Sequence, residues 1–101
     1  MTMGSISETY EKQLEAVGER MGLLMARATD QEKEILRRMK DEIEEFARTE
    51  EAQGKFYDRS ALFAAGIIAN PDIANTDLKK AAIEYIEVDY LFIKSIKEEG
   101  K

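Results

Sequence analysis

The chain has 101 residues, 44% hydrophobic and 36% charged, with a net charge of −6 from 21 acidic and 15 basic residues. It contains no His, Cys or Trp and one proline, which excludes disulfides, thiolate metal sites and imidazole acid–base chemistry. The length fits one domain, residues 1–101, and the composition suits amphipathic helices rather than disorder, while a charge balance without basic clusters argues against nucleic acid as a partner.

The first predicted helix covers residues 6–28. Ser5 or Ser7 can cap it, and Ser5-x-x-Glu8 matches a capping box. Apolar residues recur at Ile6, Tyr10, Leu14, Val17, Met21, Leu24 and Ala28, a heptad seam from Tyr10 onward. Gly18 and Gly22 lie at the edge of that seam, where another helix could approach closely. A second capping box, Thr29-Asp30-Gln31-Glu32, opens the next helix. The short break at 28–30 predicts that helices one and two are antiparallel neighbours.

The second seam runs Leu36, Met39, Ile43, Phe46, Glu50, Gln53, Tyr57, Ala61, Ala64 and Ile68. It passes through Gly54 without losing phase. The pattern therefore predicts one helix over 30–69, with a bend at Gly54 allowed, roughly 60 Å long at the α-helical rise. That helix stops at Asn70-Pro71, since a residue before proline is pushed out of the α region. Residues 70–76 form a turn, and Asn75 or Thr76 caps the last helix, 76–98.

In that helix Leu78, Ala81, Ala82, Tyr85, Ile86, Val88, Phe92, Ile93 and Ile96 span an arc about 160° wide, more than one helix–helix seam requires. The facing segment Ala61 to Ala69 is apolar nearly all round, so it should be enclosed on several sides. It is far shorter than the roughly 20 residues a membrane span needs, and no membrane association is expected. Residues Met1 to Tyr10 lack the basic and apolar regions of a secretory leader, so a cytoplasmic location is the expectation.

The predicted fold is all-α: helical hairpins around one long central helix, assembling as a dimeric or higher helical bundle. Each hairpin alone is too thin to enclose its apolar arcs, and each further Leu, Ile or Phe side chain buried is worth about 1.5–3 kcal/mol. A homo-oligomer is therefore expected, the alternative being a compact monomeric three- or four-helix bundle with a sharp break near Gly54.

Two carboxylates interrupt the apolar faces. Asp89 projects among Ala82, Ile86, Phe92, Ile93 and Ile96, where an unpaired charge costs several kcal/mol or takes up a proton. A hairpin centred near residue 73 sets Tyr57 opposite Asp89, as a hydroxyl donor to the carboxylate. By the same count Glu50 lies near Ile96 and Lys97, and the first turn brings Glu8 and Tyr10 alongside it. The expectation is one polar cluster of Tyr10, Glu50, Gln53, Tyr57 and Asp89. It either sets register between helices or lies at a frayed, solvated junction, or it forms a ligand or metal pocket.

The segment Met39-Lys40-Asp41-Glu42-Ile43-Glu44-Glu45-Phe46 locally resembles the Glu-x-x-Glu helix of MazG-type all-α nucleoside triphosphate pyrophosphohydrolases, with Glu84-Tyr85-Ile86-Glu87 standing for their later Glu-x-x-Asp. The resemblance covers about a fifth of the chain. It implies four carboxylates on two helices holding Mg²⁺ against a triphosphate. This sequence departs from the pattern at Glu87 and in the long separation of the two pairs. Glu84 and Glu87 also share a helix face with Lys80, Lys94 and Glu98, as a solvated face does. The favoured expectation is a non-enzymatic, cofactor-free protein-interaction module (a regulator, adaptor or inhibitor) with a protein partner. Mg²⁺-dependent pyrophosphohydrolase and small-ligand sensor are the alternatives.

Overall fold

A computed structural model describes residues 6–99, and every regular element in that range is a helix. Helix α1 spans Ile6–Ala26, α2 Asp30–Ala52, α3 Arg59–Ala69 and α4 Thr76–Glu99. The caps follow the sequence closely. Thr29 and Glu32 form the reciprocal capping box: the Glu32 N–H donates to Thr29 Oγ1 at 3.1 Å, and the Thr29 N–H donates to Glu32 Oε1 at 3.2 Å. Asn75 Oδ1 accepts the Leu78 N–H at 3.0 Å. Asn70 closes α3 one residue before Pro71. The proposed Ser5 cap lies outside the described residues.

The long helix expected over 30–69 does not form. The chain leaves the helix after Ala52, passes through Gly54 at φ +84°, and re-enters at Arg59. Asp58 caps the new start, its carboxylate accepting the Ala61 N–H at 3.1 Å. Helix α3 then runs back along α2. Arg59 bridges Glu44 (3.1 Å) and Glu51 (2.8 Å), while further down Gly66 lies against Met39. The heptad phase marked which residues are apolar, and an unbroken phase on either side of a reversal looks the same as a continuous rod.

A left-handed backbone costs an L side chain about 1–2 kcal/mol. No atom stands within 4 Å of a Cβ built at Gly54, so the backbone alone sets the penalty there. Gly54→Ala is therefore expected to destabilise the protein by about 1–2 kcal/mol, read as a lower urea midpoint with unchanged slope. An unchanged midpoint would show that the reversal does not depend on glycine.

The neighbour relations also differ from the expected ones. Helix α1 packs along α4, and α2 packs along α3, so helices one and two are not paired over their lengths. Antiparallel α1–α4 packing is tied by the Arg20–Glu84 ion pair and, at the far end, by Ser7 donating to the Glu99 carboxylate. Helices α3 and α4 form the third antiparallel pair. There the Lys79 ammonium donates to the carbonyls of Ile67 (2.8 Å), Ile68 (3.2 Å) and Asn70 (2.8 Å), satisfying the C-terminal acceptors of α3. The order across the molecule is α2, α3, α4, α1, giving a flat body of 50 × 34 × 18 Å. Its radius of gyration, 15.2 Å, exceeds the about 13 Å typical of a compact 100-residue domain.

The core gathers at the end where all four helices meet. Met21, Leu36, Ala64, Ile67, Ile73, Leu78, Ala81 and Ala82 are buried there. Glu32 fastens this end, its carboxylate also accepting the Asn75 N–H at 3.3 Å. These donors, the Thr29 N–H first, hold the Glu32 carboxyl below its ordinary range. Helix α3 has α2 on one side and α4 on the other. Its third side faces solvent, leaving Ala65, Ile68 and Ala69 exposed, so the apolar segment 61–69 is only partly enclosed.

Candidate functional site

The reversal at Gly54 redraws the polar cluster read from the sequence. Asp89 is buried on α4, 7% exposed. Its neighbour is Asp58 rather than Tyr57. The count across the α3–α4 turn was one residue short, and that residue matters because Asp58, as the cap of α3, is turned toward α4. Burial, together with the facing Asp58 carboxylate, pushes the Asp89 carboxyl up to about 6. Tyr57 sits outside, 40% exposed, its ring 5.2 Å from that of Phe46.

Glu50 lies on the last turn of α2. Its Oε2 atom is buried without a hydrogen-bond donor, and the nearest cation, Lys55 Nζ, is 3.8 Å away. The Glu50 carbonyl accepts the N–H groups of Gln53 (3.0 Å) and Lys55 (2.9 Å), closing the helix. Gln53 is the exposed C-cap residue of α2, and Tyr10 is half-buried on α1. No hydrogen bond, ion pair or ring contact among the described residues joins the side chains of Tyr10, Glu50, Gln53, Tyr57 and Asp89 to one another.

The four carboxylates of the pyrophosphohydrolase resemblance are likewise dispersed. Glu42 and Glu45 ride on α2, Glu84 and Glu87 on α4, and α3 lies between. Glu45 is paired with Arg48 and Glu84 with Arg20. Among the described residues, no three acidic side chains converge to hold a metal ion. The residues present do not fit the Mg²⁺ site the resemblance implies.

Two features escaped the sequence reading. The first is a trench of 780 Å³ between α1 and α2, which touch near their short connection and diverge beyond it. Met21 and Leu36 lie buried at its base, with half-buried Met25, Ile43, Phe63 and Tyr85 along it. Gly18, Gly22 and Ala26 line the α1 side, and Lys33, Arg37 and Lys40 the α2 side. The i, i+4, i+7 spacing of those cations places them on one helix face. Short of the tertiary arrangement, however, they read as ordinary surface charge.

The second feature is an overhang. Helix α4 continues about ten residues past Asp89, where α3 begins, which is about 15 Å of helix. The stripe covered by α3 at Leu78 and Ala82 continues as Ile93 and Ile96, which are 39% and 48% exposed. Nearby Ile6 and Tyr90 are also exposed.

Compared with protein-family models, curated proteins and solved structures, the chain matches none of them.

Proposed function

We propose that this chain is a small acidic protein-interaction module, a regulator, adaptor or inhibitor, that acts as a homo-oligomer. The observation that carries the reading is the partly exposed continuation of the α4 seam at Ile93 and Ile96. Within the chain this stripe is core wherever α3 lies against it. Past the start of α3 it keeps its apolar character with only partial cover, Ile93 and Ile96 being 39% and 48% exposed. A second copy packing its own overhang there would bury Ile93 and Ile96 on both protomers, at about 1.5–3 kcal/mol for each fully covered side chain. A self-complementary patch of this kind leads to a two-fold dimer.

Sedimentation equilibrium across a dilution series tests it. The wild type is expected to pass from dimer to monomer on dilution. Ile93→Glu with Ile96→Glu should remain monomeric at all concentrations with helical circular dichroism retained, because these side chains lie outside the central core. A wild-type chain that is monomeric throughout would overturn the reading.

Small-ligand sensing is the second reading, favoured by the buried Glu50 Oε2, which accepts no hydrogen bond and has only Lys55, 3.8 Å away, as its counter-charge. It would be supported by a metabolite that raises thermal stability in the wild type but not in Glu50→Gln or Asp89→Asn. If those variants show the same rise, the carboxylates do not serve as its site.

A further inference from the structure

We infer that the trench between α1 and α2 is a docking site for an amphipathic helix of a partner protein that carries acidic residues along one flank. The inference takes its class of partner from the interaction-module reading, but it concerns a different face from the α4 overhang and does not depend on the oligomer.

Shape is the first argument. The trench is open to solvent and is lined by residues between Gly18 and Ala26 on α1 and between Lys33 and Glu44 on α2, two to three turns of each helix. Its floor is formed by flexible or aromatic side chains such as Met21, Met25 and Phe63, which adapt to an inserted apolar ridge. A helix laid in a groove is held through anchors at i, i+3, i+4 and i+7.

Charge is the second. In a chain of net charge −6, the α2 rim carries Lys33, Arg37 and Lys40 in one row that ends on Glu44, itself paired with Arg59 at 3.1 Å. Arg37 is engaged by Glu34 and Asp41. Lys33 and Lys40 have no ion-pair partner among the described residues. Two unneutralised ammonium groups about seven residues apart on one face match carboxylates two turns apart on an incoming helix.

The third argument concerns Gly22. A glycine inside a helix weakens it relative to alanine. Gly18 has Tyr85 3.7 Å from its would-be Cβ, an ordinary contact, whereas a Cβ at Gly22 would meet nothing within 4 Å. No packing inside the chain requires Gly22, and its bare backbone lines the trench. A closely approaching helix backbone uses such a position.

The test uses the full chain and two synthetic helical peptides of about 18 residues, five turns each. Both carry Leu and Ala at the i, i+3, i+4, i+7 positions; one has a glutamate flank, its twin a lysine flank. Fluorescence anisotropy is expected to show the glutamate peptide binding at least about tenfold more tightly than its twin, with affinity falling as salt is raised. Lys33→Glu with Lys40→Glu should reverse that preference. Gly22→Trp, at a position where a Cβ meets no atom within 4 Å, should abolish binding while leaving helicity and self-association unchanged.

Equal affinity for the two peptides, or binding of neither at about 200 µM protein, overturns the inference. So does loss of self-association in Gly22→Trp, which would make a second copy the occupant. Saturation by oleate but by neither peptide would assign the trench to an amphiphile and overturn it as well. Because Ile93 and Ile96 do not line the trench, a negative result there leaves the peptide outcome interpretable, and the reverse also holds.

Discussion

Replacing Leu78 by alanine is expected to cost about 3 kcal/mol, within the 2–5 kcal/mol range for truncating a buried Leu. Leu78, Ile67 and Ile73 are the largest side chains with no exposed surface. They sit where the first turn of α4, the end of α3 and the intervening loop meet Met21 of α1 and Leu36 of α2. The site is fastened on two sides, by Glu32 holding Asn75 and by Lys79 holding the last carbonyls of α3. The surroundings therefore cannot collapse easily into the space left by the lost methyl groups, and the cavity contribution persists.

For a chain whose total stability is of the order of 5–15 kcal/mol, that is a large fraction. The melting temperature should fall by roughly 12–24 °C. Leu23, exposed on α1, supplies the control, with Leu23→Ala expected within about 0.5 kcal/mol of wild type. If Leu78→Ala unfolded at the wild-type urea midpoint, the packing of the four helices at this end would be wrong.

The second large effect is electrostatic and depends on pH. Asp89, with its carboxyl raised to about 6 by burial and by Asp58, holds a proton in the folded state that the unfolded chain releases near pH 4. Between these values the native state binds more protons than the unfolded state, so stability falls as pH rises from about 4 to about 6. Above that window both states are ionised and this group contributes no further change. The shift corresponds to a loss of about 3 kcal/mol between acid and neutral pH.

Glu32, Glu34 and Glu99 act in the opposite sense. Their carboxyls are held low by hydrogen bonds from Thr29, Arg37 and Ser7 respectively. Their contributions are present at neutral pH and are lost as pH falls through their folded-state values.

Asp89→Asn removes the buried charge while keeping the shape, and its amide can donate to Asp58. The variant is expected to match the wild type near pH 4 and to exceed it increasingly up to about pH 6, reaching about 3 kcal/mol at neutral pH. Urea midpoints taken in steps across that range provide the measurement. A wild-type-minus-variant difference that stays constant with pH would show that Asp89 does not titrate as a buried group. Asp58→Asn should weaken the same pH dependence, since asparagine still caps α3 but no longer repels Asp89.

Much of this molecule was written locally. The boxes at Thr29 and Glu32, the cap at Asn75 and the stop at Asn70-Pro71 all act within one helical turn, so reading neighbouring residues suffices to place them. Asp89 also announced itself, because a carboxylate in the middle of an apolar arc is buried in almost any packing of that helix. Tertiary packing was needed for direction and pairing. A continuous heptad phase through Gly54 is compatible with a rod and with a hairpin; the left-handed glycine and the Asp58 cap resolve it only once α3 lies against α2. The broad arc of α4 accommodates α3 on one side and α1 on the other, so α1 pairs with α4, although α2 follows it directly in the chain. From that choice come the trench, the overhang and the Asp58–Asp89 pair, because each is formed by residues that no helical periodicity brings together.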